Sequence, residues 1–463
     1  MILKEIYTEF LKDGHISALD SNSPYTITFD NKKFDNKIRW SKLLPTNPIN
    51  IDDIKKIVFN HCTFHNEVCI TYNKIYLIEF NYCTFANEVD YSTTLLKIND
   101  EANKRIIFNN CKFEYFIIGD IKDVQHKANT KLCRFNLYGG EIDNLIIQNI
   151  ELANKVYFNR QQENEYSFQT RIENLKINNS IFKENFKAHY CNIHNILIQN
   201  TDFKKQADFY KSSFHNGIND NIDKSIRFKA INFGGLTIFG HCEFTKKVIF
   251  SEVTFEDFVH FKEAHFENGL DLDYANIQKE MNFFSVTGLD SRESMNHTSQ
   301  ETYRIIKYYF HKIGNQIESN KYHALELNVH RQNTWYKIKE ETWYKIQNLF
   351  YNDTRFFFFD VKKIGTLLLE IIPSLVHKGS SNYGQSWLLP LIWIFLVGMI
   401  TNCLIDRVSI SNIFNFSEIL NHISIINLDG KLKDNPAIFL FNKISLGYLY
   451  YQFIIATRKN TKK

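Results

Sequence analysis

A chain of 463 residues, 44% of them apolar, has too much material for one ordinary core and enough apolar surface to bury, which excludes a disordered protein and points to two or three units. Its formal charge of +4 is small for this length, and the stretch 51–289 is close to neutral, so no nucleic-acid partner is expected. Phenylalanine, at 41 copies against 17 glycines and 6 prolines, must fill the interior with regularly stacked rings, while few turns can rely on glycine.

The first residues, Met1 to Ile6, are charged and show no basic region leading into an apolar run, so they do not read as a cleaved secretory leader. The bulk of the chain is therefore expected in the cytoplasm. Residues 1–50 carry no repeat. Leu3, Ile6 and Phe10 predict a short amphipathic helix that caps the open edge of whatever follows.

From 51 to 289 the sequence is periodic. Phe228, Phe239, Phe250, Phe261, Leu272 and Phe283 recur every eleven residues, and Phe233, Phe244, Phe255, Phe266 and Ile277 form a second series at the same spacing. Within a period the gaps are five and then six, which on a helix would scatter these side chains over separate faces, so a helical supercoil is excluded. A small or apolar residue stands two before most anchors, as Cys242 before Phe244, Val253 before Phe255 and Ala264 before Phe266. That period of two places each anchor on a short strand. Short strands turning the same way close a coil of four sides and 22 residues, stabilised by stacking on the coils before and after it.

The same unit recurs earlier as Phe59-Asn-His-Cys-Thr-Phe64, Phe80-Asn-Tyr-Cys-Thr-Phe85, Phe108-Asn-Asn-Cys-Lys-Phe113, Ile177-Asn-Asn-Ser-Ile-Phe182 and Ile198-Gln-Asn-Thr-Asp-Phe203. This pattern resembles the pentapeptide-repeat family, over about half the chain. The resemblance implies a β-solenoid, specifically a right-handed quadrilateral β-helix. Asp90 to Lys104, Asp120 to Lys131, Asn159 to Thr170 and His215 to Lys224 lack the spacing and are expected as loops off the column. Seven of the eight cysteines fall in the repeat region, most in the small inward slot, and read as reduced core thiols.

After Gly288 the period becomes helical. Tyr303, Ile306, Phe310, Ile313 and Ile317 form one stripe of an amphipathic helix within a helical region, 290–350. The block from Glu301 to Glu326 is similar to the one following the repeats in bacterial membrane-associated members of that family, which implies an inner-membrane location. A membrane-proximal segment, 351–386, contains an apolar run from Phe356 to Val376 broken by Asp360, Lys362, Lys363, Glu370 and Pro373, which predicts a helix lying along the membrane surface. Residues 387–405 contain no charge and are long enough to cross a bilayer. Residues 438–456 form a second expected span, with Asn442 and Lys443 snorkelling from its first turn. The loop 406–437 holds three basic residues, whereas Arg458, Lys459, Lys462 and Lys463 crowd the tail 457–463, so both ends are expected in the cytoplasm.

Several constellations hold residue types that can carry chemistry. His61, Cys62, His65 and Cys69 offer zinc-type ligands, but Cys62 fills an inward slot, and tetrahedral convergence would break the coil. Asp271 and Asp273 flank inward Leu272 and belong to a solvated surface. Glu318, His323 and Glu326 read as a solvated helix face. No phosphate loop, serine elbow or Cys-x-x-Cys motif occurs. The sequence therefore predicts no catalytic, cofactor-binding or metal-binding residues and no enzyme. It predicts a scaffold held by membrane lipid and presenting its column to a cytosolic protein. The competing expectation is a channel- or transport-like homo-oligomer whose loop re-enters near Phe414, Phe416, Ile419 and Leu420.

Overall fold

The structure, a computed structural model, describes residues 15–17, 25–34, 38–39, 54–65, 68–69, 77–90, 105–119, 128–130, 134–159, 169–218, 224–349, 357–406, 416–424 and 435–461. The chain divides into two compact units, Met1–Ser299 and Gln300–Lys463.

The first unit is a column of parallel coils. One side is a sheet of twelve strands, in which Ile54–Asn60, Leu77–Asn81, Arg105–Asn109 and Arg134–Tyr138 follow each other in register and Met281–Asn282 comes last. Register is fixed by the anchors: Phe59 lies opposite Phe80, Phe80 opposite Phe108, and Phe228 opposite Phe250, so like side chains stack. Aromatic ladders result, among them Phe182, Phe203, Phe233 and Phe255 on one side and Phe228 and Phe250 on another, and two that run along most of the column. Phe29, Phe59, Phe80 and Phe108 begin the first and Phe209, Phe239, Phe261 and Phe283 end it; Phe34, Phe64, Phe85 and Phe113 begin the second and Phe214, Phe244 and Phe266 end it. Successive rings lie 4.7 to 5.5 Å apart with planes within 13°. These are offset-stacked aromatic spacings, close to the strand separation that the backbone imposes. In the middle of the second ladder Ile142, Ile172 and Ile193 take the same place. Where the first ladder holds only Ala188, opposite Phe158, the ring of Phe186 fills the gap, 5.9 Å from Phe158 and 5.5 Å from Phe209.

The corners explain how so few glycines suffice. At one corner Asn31, His61, Tyr82, Asn110, Tyr190, Lys211, His241 and Glu263 all adopt positive φ, between 50° and 59°, and among the described residues only Gly139 is a glycine there. Each turn costs a non-glycine residue about 1 to 2 kcal/mol. It is offset by the backbone hydrogen bond that the corner amide donates to the next coil, as from His61 to Asn81 O at 2.9 Å and from Tyr82 to Asn109 O at 2.8 Å.

Strands extend the column into the segment expected to cap it. Tyr25–Asp30 pairs with Ile54–Asn60, Lys33–Phe34 with Thr63–Phe64, and Ile38–Arg39 with Val68–Cys69, because Phe29 and Phe34 supply anchors that the eleven-residue phase did not reach. His15–Ser17 then lies antiparallel on Tyr25–Asp30. The helix expected at Leu3, Ile6 and Phe10 lies outside the described residues. Of the expected loops, Ala128–Thr130 is instead a strand pairing with Ile150–Leu152, and His215 belongs to strand Ser213–Gly217. At the other end α1 (Arg292–His297) closes the coil: Ser291 caps it, and Thr298 Oγ1 accepts from the Leu270 amide at 3.2 Å.

The second unit is helical: α2 (Gln300–Lys312), α3 (Gln316–Leu349), α4 (Phe357–Ser381), α5 (Leu388–Asp406), α6 (Phe416–Ile423) and α7 (Pro436–Thr461). The single amphipathic helix expected around Tyr303 to Ile317 is two helices. Gly314, at φ 79°, ends α2, so Tyr303, Ile306 and Phe310 are buried while Ile313 and Ile317 are about half exposed. The pair runs antiparallel, with Phe310 stacked on Tyr322 at 5.5 Å and Ser319 Oγ donating to Lys307 O at 3.2 Å. α4 leaves an apolar side, with Leu369, Ile372 and Val376, exposed. α5 and α7 are long and apolar enough to cross a membrane, and most of their surface is uncovered by the rest of the chain. α7 starts at Pro436, so Asn442 and Lys443 lie beyond its first turn and not within it.

Candidate functional site

One row of inward positions decides whether the column could house chemistry. Two residues before the second ladder stand Cys62, Cys83, Cys111, Gly140, Thr170, Cys191, Ser212, Cys242 and Ala264. Only small side chains fit, because each points at the backbone of the preceding coil. Cys62 donates to Phe29 O at 3.4 Å, Cys83 to Phe59 O at 3.4 Å, Cys111 to Phe80 O at 3.3 Å, Ser212 to Ala188 O at 2.6 Å and Cys242 to Phe209 O at 2.9 Å. Gly140 marks the tightest approach, where a Cβ would lie 2.2 Å from Cys111 O and φ is 96°. The thiols are free and buried. The neighbouring Cys111 thiol and burial push Cys83 up to about 12, burial pushes Cys191 up to about 12, and burial raises Cys242 too. Cys62 is raised by its contact with the Cys83 thiol and by burial. Such thiols are poor nucleophiles and poor metal ligands.

The zinc-type residues do not converge. Cys62 points inward; His61 sits on the exposed corner, stacked on Tyr82 at 5.1 Å, and His65 is exposed. The side chain of Cys69 lies outside the described residues. Among the described residues no three His, Cys, Asp or Glu side chains gather as a metal site. Asp271 pairs with Lys247 at 3.0 Å and Asp273 is exposed, flanking buried Leu272 as expected.

The outward corner gathers polar and aromatic side chains from successive coils. His189 Nε2 lies 2.9 Å from Asp208 Oδ2, which also accepts from Gln206 at 3.1 Å. Tyr210 meets His189, Tyr190 and His241 edge to face, and Lys211 lies 5.5 Å from the ring centres of both Tyr190 and Tyr210. His241 pairs with Glu263 at 3.0 Å. These residues share a stripe because each coil places its corner above the last. Rings that are immobilised yet half exposed suit recognition of another surface.

In the helical unit, the expectation of a solvated face at Glu318, His323 and Glu326 holds only in part. Glu326 is buried and collects two cationic groups, Lys307 Nζ at 2.6 Å and Arg304 Nε at 3.0 Å, beside the ring of His323, whose Nδ1 lies 3.4 Å away. Burial alone would raise its pKa, but these donors win and hold it at about 2. Glu318 takes no part; its amide is capped by Asn315. The legible signal was Arg304 and Lys307, one turn apart beside Tyr303, Ile306 and Phe310, which reserve that face for a carboxylate on the partner helix.

The polar residues of α7 also have partners. Asn442 Nδ2 donates to Thr401 Oγ1 at 2.9 Å and to His422 O at 3.3 Å, Lys443 Nζ donates to Ser424 O at 2.9 Å, and Tyr450 Oη donates to Ile423 O at 3.2 Å. Lys443 is thus directed at the end of α6, correcting the expectation that it snorkels.

Parallel coils, stacked anchors and a row of small inward side chains define a parallel β-solenoid. Residues 228–276 match the family model of pentapeptide repeats in nine copies, so this stretch of the column is a run of pentapeptide repeats. No curated protein and no solved structure matches it.

Proposed function

We propose that the protein is a non-enzymatic, membrane-anchored scaffold whose solenoid presents a regular surface to a cytosolic protein partner. The observation that carries this is the packed interior: the ladder rings are almost wholly excluded from solvent, so recognition falls to the outside of the column. The stripe of His189, Tyr190, Tyr210, Lys211 and His241 is the leading docking surface. Anchoring is supported by α5 and α7, which leave Ile392, Ile400, Ile444 and Ile454 exposed as a lipid-facing span requires, and by the apolar side of α4, which suits the interface. The basic tail favours a cytoplasmic C-terminus.

A photo-crosslinker placed at Tyr210 of the full chain in cells should trap one dominant protein, and the adduct should disappear when Lys211 and His241 are both changed to Glu. A crosslinker at Tyr274, exposed but outside the stripe, should not trap it. Equal trapping from both positions would contradict the assignment of the stripe. The channel-like reading is favoured by one observation, the seating of α6.

A further inference from the structure

The end of α4 and its turn into α5 form a junction with α7 and α3. Ser381 Oγ donates to Gln452 Oε1 of α7 at 2.9 Å, Ser380 Oγ and Tyr448 Oη share a hydrogen bond at 3.1 Å, and Trp393 Nε1 of α5 donates to Gly379 O at 2.9 Å. Gln385 Nε2 donates to Asn320 O of α3 at 2.8 Å. The turn itself is left-handed over Asn382, Tyr383 and Gly384, at φ 48°, 58° and 79°. A Cβ at Gly384 would stand 3.1 Å from Lys459 Nζ, so the glycine lets the α7 ammonium lie over the turn and donate to Tyr383 O at 3.4 Å.

Basic side chains crowd this junction without an acid. Burial, and after it the guanidinium of Arg331 on α3, lower the pKa of Lys378; burial, then the Lys459 ammonium and the ring of His323, lower that of His377. The partners these groups do have are neutral. Arg331 Nη2 donates to Asn328 Oδ1 at 3.5 Å while its Nε is enclosed without a partner, Lys459 has the Tyr383 carbonyl, and His377 has the Gln452 side chain. Among the described residues no carboxylate pairs with Arg331, His377, Lys378 or Lys459, and Glu326 is committed to Arg304 and Lys307. Glu370, about two turns back on α4, is exposed and joins none of them. The level is that of headgroups: α5 begins at Leu388, directly after exposed Trp387, and Lys459 follows the expected end of the second span at Ala456.

We propose that Arg331, Lys378 and Lys459 form a binding site for the phosphate of an anionic phospholipid such as phosphatidylglycerol, with His377 in its wall. The inference rests on the membrane anchoring proposed above. A phosphodiester brings the negative charge that the junction lacks, and guanidinium and ammonium groups donate to its oxygens. Basic pockets between helices at the cytoplasmic face take anionic headgroups in this way. A lipid is favoured over free phosphate because the apolar side of α4 continues from the site. Leu375 and Leu368, both exposed, precede Lys378 by three and then seven residues, on neighbouring sides of the helix, and offer the acyl chains a track.

The full chain in mixed phosphatidylcholine and phosphatidylglycerol vesicles, with a photoreactive diazirine on the headgroup of one lipid or the other, tests the site. Adducts are mapped by peptide mass spectrometry. The phosphatidylglycerol probe should label the junction about tenfold more than the phosphatidylcholine probe. Lys378→Gln or Arg331→Gln should each lower that adduct about fivefold, whereas Arg458→Gln, which removes an exposed tail charge, should leave it unchanged. Excess inorganic phosphate should not displace the lipid. Equal labelling by the two probes in the native chain would overturn the proposal whatever the variants do. An equal loss in Arg458→Gln, or displacement by phosphate, would also overturn it. If the native chain leaves pure phosphatidylcholine vesicles in an alkaline wash, the anchoring reading fails, and the lipid site with it.

Discussion

The two units are held together by opposite kinds of order. In the column the stacking contacts are repeated: Phe239 stacks on Phe209 below and Phe261 above, and the same relation recurs at Phe244 between Phe214 and Phe266. In the helical unit the fixing contacts occur once. Glu326 draws together Arg304, Lys307 and His323; Ser381 Oγ donates to Gln452 Oε1 at 2.9 Å, and Asn442 binds α5 and α6. Repetition spreads stability over many equivalent neighbours, so the loss of one rung stays local. Single polar pins concentrate it, and their loss leaves a buried partner unsatisfied.

The sharpest way to break the comparison is to empty a rung. Phe255 is fully buried and stacked on Phe233 at 5.2 Å, so Phe255→Ala should cost about 3 to 5 kcal/mol, read as new protease cleavage near that coil with distant coils unaffected. Wild-type proteolysis would mean that the anchors do not hold the column. Next in size is the pin. Glu326→Gln should cost about 2 to 3 kcal/mol at neutral pH, because Arg304 and Lys307 lose their shared carboxylate while keeping some access to water. The sign with pH is fixed by the depressed value. The contribution is complete above the ordinary carboxylate range and is lost as pH falls through that range toward about 2. Acid should therefore loosen the α2–α3 pair in the native chain and leave the Glu326→Gln variant comparatively indifferent, measured as exchange of its amide hydrogens.

The smallest effect belongs to the inward row. Cys242→Ala should cost about 1 kcal/mol or less, since Ala264 fills the equivalent slot one coil later. The native thiols at Cys62, Cys83, Cys191 and Cys242, all raised, should alkylate far more slowly than exposed Cys403 in detergent, followed by mass spectrometry. Rapid reaction at Cys62, with about one equivalent of zinc lost in a Cys62→Ala variant, would reopen metal chemistry in the column.

The same contrast explains what could be read from the sequence. Phe228 to Phe283 announce their period because each obeys one rule eleven residues apart, and Cys62, Cys83, Cys111 and Cys242 stand where that rule requires a small side chain. Phe29 and Phe34 follow the rule only through pairing with Phe59 and Phe64 thirty residues on, and so escaped a shorter period. Gly314 divides a stripe that looks continuous from Tyr303 to Ile317, since periodicity alone does not register a left-handed turn. Glu326, Asn442 and Lys443 look like ordinary polar residues until their partners from other helices are beside them. The aromatic and histidine corner was likewise illegible, because His189, Tyr210 and His241 meet only through the coil.

Whether this column is tied to a bilayer is tested most directly by the full chain mixed with lipid, floated on a density gradient and then washed with alkaline carbonate. The account predicts that the protein rises with the vesicles and stays with them after the wash, with a tag placed after Lys463 on the same side as the column. Release of intact, folded protein into the wash would show that α5 and α7 do not span, and would contradict the anchored scaffold.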